Sequence, residues 1–320
     1  MKAAVYYKNG PPGVLKYEDV DDPVLLPQGI IIRVEAVSIE GGDTLNRHGG
    51  ELASKPHIVG YQAAGTIIDV GDEVTGLKRG QRVVTVNAHG SHAELRGVFA
   101  FTAWPVPDGL DIRTASAIPI PFGTADDCLF EHGHLKAGQT VLIQAGASAV
   151  GLAAIQLAKR AGAKVIATAS SPDKLARLVA LGMDHGIDYA RQDVVTEVMR
   201  LTDNKGVDLV VDPVGGATLQ SSLGALGYRG RISLVGNAGR EGQKVDVSSL
   251  MPGNRSLTGV FFGAEIATPR VREMVQRHID DVAAGRLTVV IDSTYPLSEA
   301  AAAHAYIESR KAVGRVLLIP

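Results

Sequence analysis

A chain of 320 residues is long enough for two domains, each with a core of its own. Its net charge of −2 leaves no basic surface for nucleic acid, and its one cysteine, Cys128, excludes internal disulfides and any cysteine-rich structural zinc site. Without a secretory leader or an apolar run of membrane length, the chain reads as soluble and cytoplasmic, with no membrane partner.

Residues 1–7 and 29–37 are strand-like, and 59–70 and 81–86 continue in that manner. Turns marked by Pro11-Pro12-Gly13, Gly41-Gly42, Gly49-Gly50, Gly71-Asp72 and Arg79-Gly80 separate them. Short strands between Gly-rich turns predict a compact, mostly β barrel. A crossing segment starts at Asp108 and runs through 115–121, and residues 123–130 have the pattern of a helix entering a second domain.

There the pattern changes. A buried strand at 141–143, a small-residue turn at 146–151, an apolar helix to about 161 and a second buried strand at 164–168 make one βαβ unit. The turn reads G-x-S-x-x-G, with Ser148 where the dinucleotide fingerprint usually has its middle glycine. Small residues there admit a pyrophosphate, which backbone N–H groups and the positive end of the helix dipole then hold. Ser148 fits that logic, since its hydroxyl can donate to a phosphate oxygen. An NAD site usually carries Asp or Glu about 20 residues beyond the turn, for the ribose 2′-OH. This chain has Ser170, Ser171 and Lys174 in that region instead. Hydroxyls plus a cation suit a 2′-phosphate, so the coenzyme reads as NADP(H). A competing reading makes Ser171 a helix N-cap and Lys174 a solvated helix residue.

The alternation continues with helices at 171–181, 194–202 and 217–226 and strands at 186–189, 207–212, 231–236 and 256–262. That predicts a doubly wound parallel sheet from about 123 to 263. A long helix at 269–284, a strand at 288–291, a helix at 299–309 and a last strand at 315–319 return to the first domain. The predicted domains are therefore 1–122 with 264–320, and an inserted 123–263.

Several stretches carry a resemblance. A-x-(S/G)-(I/L)-N-x-x-D aligns with 36–43, P-x-x-x-G-x-E-x-x-G with 56–65, V-P-D-G-L with 106–110 and T-A-x-x-x-L with 124–129. L-K-x-G-x-x-V-L-I aligns with 135–143, A-A-x-G-G-V-G with 145–151, and a Lys followed by L-G-(A/M)-D with 174–184. G-V-D-x-V-x-D-x-V-G-G at 206–216, G-N at 236–237 and G-(K/R)-x-x-L-I-P at 314–320 complete the set. Over its whole length the chain resembles the quinone oxidoreductase (zeta-crystallin-like) branch of the medium-chain dehydrogenase/reductases. The resemblance implies an α/β protein: a GroES-like, mostly β catalytic domain and a central Rossmann-type sheet, with NADPH in the cleft between them. A homodimer formed through the edge of the Rossmann sheet is implied too.

By the same resemblance, Ser148, Ala149 and Val150 hold the pyrophosphate, and Ser170, Ser171, Lys174 and Tyr189 hold the 2′-phosphate. Thr124 lies against the nicotinamide ribose or carboxamide, with Val235, Gly236, Asn237, Phe261 and Phe262 lining the other side. The chain departs from the family at Ser148 and Ala149, where glycines are usual and the change narrows the room for the pyrophosphate. It departs again at Glu40, where relatives often have Asn, and at Gln62, where they often have Glu. Zinc-dependent cousins have Cys within the stretch matched by 37–43 and His-Glu at Tyr61-Gln62; neither occurs here, so no metal is expected. Cys128 with His132, His132 with His134, and His89 with His92 read instead as a buried thiol and solvated loop histidines.

Hydride delivery to a conjugated acceptor needs no metal, because a quinone or an enone spreads the incoming charge. The proton can come from Tyr61, from Glu40 or from solvent. The candidate catalytic residues are Tyr61, Glu40 and Gln62, with Asp43, Arg47 and His48 nearby on loops. Tyr61 reads equally as barrel core, and Asp43 with Arg47 as an (i, i+4) surface ion pair. Glu40 either sits beside the nicotinamide, favouring its cationic oxidised ring, or turns outward on Gly41-Gly42. The expected function is an NADPH-dependent reductase of quinones or α,β-unsaturated carbonyls, small molecules being the expected partners. The alternatives are a non-catalytic NADPH-binding protein and a zinc-free NADP-dependent alcohol dehydrogenase.

Overall fold

Apolar runs with no polar interruption become strands buried on both faces, as a parallel sheet covered by helices requires. In the computed structural model, which describes residues 1–242 and 244–320, this happens within a unit formed by Pro121–Phe262. Its sheet runs His185–Asp188, Lys164–Ala169, Thr140–Ile143, Val207–Asp212, Leu226–Leu234, Ser256–Gly259, and every neighbouring pair is parallel. Counted along the chain the order is 3-2-1-4-5-6, the doubly wound arrangement. Strand order reverses at Thr140–Ile143, and ligands of such sheets bind beyond the strand C-termini at that switch point. Leu142, Ile166, Val210, Leu223 and Ile232 are among the residues that fill its core.

Helix starts follow local chemistry. Ser148 caps Ala149–Arg160, Ser171 caps Pro172–Val179 with Pro172 in the first turn, and Asp193 caps Val194–Leu201. Each cap accepts a hydrogen bond from the N–H three residues on.

The other unit, Met1–Ile120 with Gly263–Pro320, is built on the long strand Gly29–Ser38. It pairs antiparallel with Gln62–Val70, Leu95–Phe99 and the C-terminal strand Arg315–Ile319, which pairs parallel with Ile291–Pro296. Arg82–Val86 and Ala103–Pro105 continue the sheet beyond Gln62–Val70. Ile30, Ile32, Val37, Ile67, Val83, Leu297 and Leu318 belong to its core.

Several predicted elements change, among them the strand expected at 231–236, which runs Leu226–Leu234. The strand expected at 59–70 starts at Gln62, because Gly60 has φ +118° and a Cβ there would lie 1.8 Å from Ser91 Oγ. The helix expected at 123–130 begins at Pro119 and passes into a π turn at Asp127–Glu131. The strand expected at 256–262 stops at Gly259, where its partner ends at Leu234, and Phe262–Glu265 is a helical turn. The strand expected at 288–291 forms at Ile291–Pro296, the register its partner Arg315–Ile319 imposes. Among the described residues no helix is long and apolar enough to cross a membrane.

Candidate active site

At the switch point, the first and last glycines of G-x-S-x-x-G are dictated by packing. A Cβ on Gly146 would lie 2.9 Å from Ala167 Cβ and from Leu178 Cδ1, and one on Gly151 would lie 2.5 Å from the Ala145 carbonyl oxygen. Position 148 has no such constraint. Ser148 is half-buried, and its Oγ accepts the Gly151 N–H at 3.1 Å, which leaves the hydroxyl proton able to donate. Ala149 and Val150 open the helix, so their N–H groups belong to the set that no helix satisfies internally. A dinucleotide diphosphate fits this turn.

At the next strand end, Tyr189 N–H donates to the Ala169 carbonyl at 3.1 Å, which sets Tyr189 beside Ser170. Ser171 is the N-cap of Pro172–Val179, as the competing reading has it, and Lys174 is half-buried in the first turn. Tyr189 is exposed. The strand Lys164–Ala169 ends on Ala169 and Ser170 with no carboxylate at its tip, so a 2′-phosphate fits.

The residues matched to the nicotinamide divide. Gly236 lies against the loop after Val207–Asp212, where a Cβ would come within 2.6 Å of the Pro213 carbonyl oxygen, and Asn237 beside it is half-buried. Thr124 is buried in the helix Pro119–Asp126. Phe261 is 75% exposed, whereas the Phe262 ring packs on Gly123, 2.4 Å from where a Cβ would stand. The two rings therefore do not line one surface together, because Phe262 is needed in the core.

In the first unit, Glu40 begins the helix Gly41–Gly49, which carries Asp43, Asn46, Arg47 and His48. These residues are thus helical rather than on loops. Glu40 is buried and does not turn outward: Arg315 grips both carboxylate oxygens, and Gln62 Nε2 donates to Oε1. Gln62 Oε1 accepts the Ile120 N–H at 3.1 Å, so the Gln62 amide is engaged at both ends. Burial pushes the Glu40 carboxyl up, and Arg315 and Gln62 oppose that shift.

Asp43 does not pair with Arg47. Its oxygens accept the Glu40 N–H at 2.8 Å and the Tyr61 N–H at 3.1 Å, and burial pushes its carboxyl up to about 8. Arg47 is buried, pairs with Glu308 and donates to His304 Nδ1 at 3.2 Å.

Tyr61 is half-buried, so it is not sealed in the barrel core. Its ring lies on the backbone of Gly42, where a Cβ would sit 2.4 Å from Cε2. Asn46 Nδ2 donates to the Tyr61 hydroxyl oxygen at 3.0 Å, fixing the phenol and leaving its proton to donate elsewhere. Burial, then the Asp43 charge, raises the phenol above its ordinary value, so it stays protonated at neutral pH. Neither Asn46 nor Arg315 stands out in sequence: Arg315 acts on a residue 275 positions away, and Asn46 lies on a helix with a polar buried face.

His92 is buried rather than solvated. Because Arg47 can only donate, His304 Nδ1 accepts, His304 Nε2–H donates to His92 Nε2 at 3.0 Å, and His92 Nδ1–H donates to Ser91 Oγ at 3.1 Å. Burial, helped by the Arg47 charge, pushes His304 down to about 3. The unfolded chain therefore binds a proton that the fold refuses, and stability falls as the pH drops from 6.5 toward 3. Asp43 acts oppositely, its contribution being lost as the pH rises toward 8. Urea unfolding at a series of acid pH values should show His304→Gln lowering the acid slope by about 1.4 kcal/mol per pH unit, one proton's worth. An unchanged slope would place the acid sensitivity elsewhere.

Among the described residues, no group of three or more His, Cys, Asp or Glu side chains is placed to hold a metal ion. Cys128 is buried, which pushes its thiol up.

Comparison with known proteins bears on the family and the fold. Residues 26–106 match the alcohol dehydrogenase GroES-like domain, and residues 149–280 match the zinc-binding dehydrogenase family. The chain is 32% identical over 319 residues to a quinone oxidoreductase of Pseudomonas aeruginosa, covering 97% of each. It is 31% identical to a 2-haloacrylate reductase of a Burkholderia species, covering 100% of this chain and 99% of that one. The structure of Escherichia coli quinone oxidoreductase complexed with NADPH superposes with a TM-score of 0.95 at 29% identity, covering 100% of both chains.

Proposed function

This chain belongs to the quinone oxidoreductase branch of the medium-chain dehydrogenase/reductase family, and we propose that it reduces quinones or α,β-unsaturated carbonyls with NADPH and without zinc. The 2-haloacrylate reductase among its relatives supports a conjugated acceptor, and the NADPH-bound relative supports the coenzyme. The turn at Ser148, Ala149 and Val150 would hold the diphosphate, and Ser170, Ser171, Lys174 and Tyr189 the 2′-phosphate. When bound, NADPH supplies the hydride.

One observation carries the acceptor class. Tyr61, at the position where zinc-dependent cousins have a histidine ligand, keeps a protonated hydroxyl held by Asn46 and backed by Gly42. A phenol so fixed donates to the oxygen on which charge develops when a conjugated carbonyl is reduced. Glu40 and Gln62 serve this by holding the helix start and strand that flank Tyr61, their polar atoms being engaged within the protein.

Loss of NADPH absorbance in the presence of phenanthrenequinone, benzoquinone or cyclohexenone tests the proposal. Turnover of at least one is expected. Tight NADPH binding with turnover of none would favour a binding protein, and NADP⁺ reduction by simple alcohols would favour a dehydrogenase.

The coenzyme choice has its own test. Lys174→Ala should weaken NADPH binding by roughly 10- to 100-fold, the worth of a charge-assisted hydrogen bond. NADH binding should change by less than about threefold, since it has no 2′-phosphate for the lysine to meet. Equal losses in calorimetric titrations would remove the phosphate assignment.

A further inference from the structure

A buried polar chain underlies the switch point. Ala145 N–H donates to Thr168 Oγ1 at 3.1 Å, and the Thr168 hydroxyl donates to Gln144 Oε1 at 2.9 Å. Gln144 Nε2 donates to Ser222 Oγ at 3.2 Å, and the Ser222 hydroxyl donates to Asp212 Oδ2 at 2.8 Å. The other oxygen of Asp212 accepts the N–H groups of Val214 and Gly215 at 2.9 and 3.0 Å. All four side chains are buried, and every link has one possible direction, running from both ends onto a single carboxylate.

Polar groups inside an apolar sheet are costly to bury, and when fully satisfied they hold one geometry against others. The two ends of this chain are the places that need holding. Ala145 has φ +50°, unfavourable for a residue with a Cβ, and it opens the diphosphate turn. Gly215, with φ +71°, belongs to the loop after Val207–Asp212 on which Gly236 rests. The chain thus laces together the C-terminal ends of three adjacent strands, Lys164–Ala169, Thr140–Ile143 and Val207–Asp212.

We propose that Thr168, Gln144, Ser222 and Asp212 are positioning residues that hold the diphosphate turn and the Pro213–Gly215 loop in the spacing that accepts the coenzyme. The proposal rests on the NADPH reading above. All four are buried, and they act through the backbone N–H groups of Ala145 and Gly215.

Thr168→Val keeps the side-chain shape and removes both links at one end. It should raise the dissociation constant for NADPH about tenfold, with turnover at saturating NADPH within about twofold, and Thr168→Ser should restore affinity. Ser222→Ala, several links away, should speed amide hydrogen exchange at Ala145 about tenfold, which a merely local role for Ser222 would not do. Affinity within twofold of wild type in Thr168→Val, or unchanged exchange at Ala145 in Ser222→Ala, would overturn the proposal even while wild-type protein binds NADPH. Wild-type protein that releases no heat with NADPH would instead sink the coenzyme reading, and the exchange result would still decide whether the chain is coupled.

Discussion

Tyr61→Phe should lower turnover of cyclohexenone by roughly a hundredfold while leaving the dissociation constant for NADPH within about twofold, the lower end of what a positioned proton donor supplies. Phenylalanine keeps the ring that rests on Gly42, so what is lost is the hydroxyl and its bond from Asn46. The loss should appear in kcat and kcat/KM together, because the hydroxyl interacts most strongly with the oxygen once charge has developed on it. Quinones should lose less, since their reduction product is a weaker base that solvent can protonate. Asn46→Leu should fall between wild type and Tyr61→Phe, leaving the proton donor present but loosely held. A Tyr61→Phe enzyme with full enone turnover would remove the phenol from the mechanism and leave solvent as the proton source.

Much of the coenzyme unit can be read from sequence because its signals are local. Buried strands there are short apolar runs, the helices begin at Ser148, Ser171 and Asp193, and the glycine at 151 answers to backbone packing within a few residues. The helix Gly41–Gly49 carries no such signal. It opens with two glycines, and its buried residues are Asp43, Thr44 and Arg47, so no apolar period marks it. Its partners Arg315, His304 and Glu308 lie more than 250 residues away along the chain. Strand ends are hard to read from sequence for a related reason. The run at 256–262 stays strand-like to its apolar end at Val260-Phe261-Phe262, but pairing stops at Gly259 because the neighbouring strand has ended, and no local pattern encodes a neighbour's length.

Arg315→Met should be the most destabilising of these changes, by about 3–5 kcal/mol, because it leaves the buried Glu40 carboxylate without its counter-charge. The guanidinium also donates to Ser38 Oγ and to the Ile39 carbonyl, so its removal strips partners from the strand end that leads into the helix bearing Asn46 and Asp43. Trp104, the one tryptophan in the sequence, is buried in the same unit, so its fluorescence during urea unfolding reports on this part of the chain. Burial already raises the Glu40 carboxyl while Arg315 opposes the rise; without Arg315 it goes higher, and the folded state holds a proton that the unfolded chain has released. Stability of the variant relative to wild type should therefore worsen as the pH rises from about 5 to about 8. Glu40→Gln placed on Arg315→Met should recover part of the loss and flatten that pH dependence, since a neutral amide needs no counter-charge. If the double variant were as unstable as the single one at both ends of that range, the loss would come from the contacts to Ser38 and Ile39, and the charge pairing would not be what holds the start of the helix.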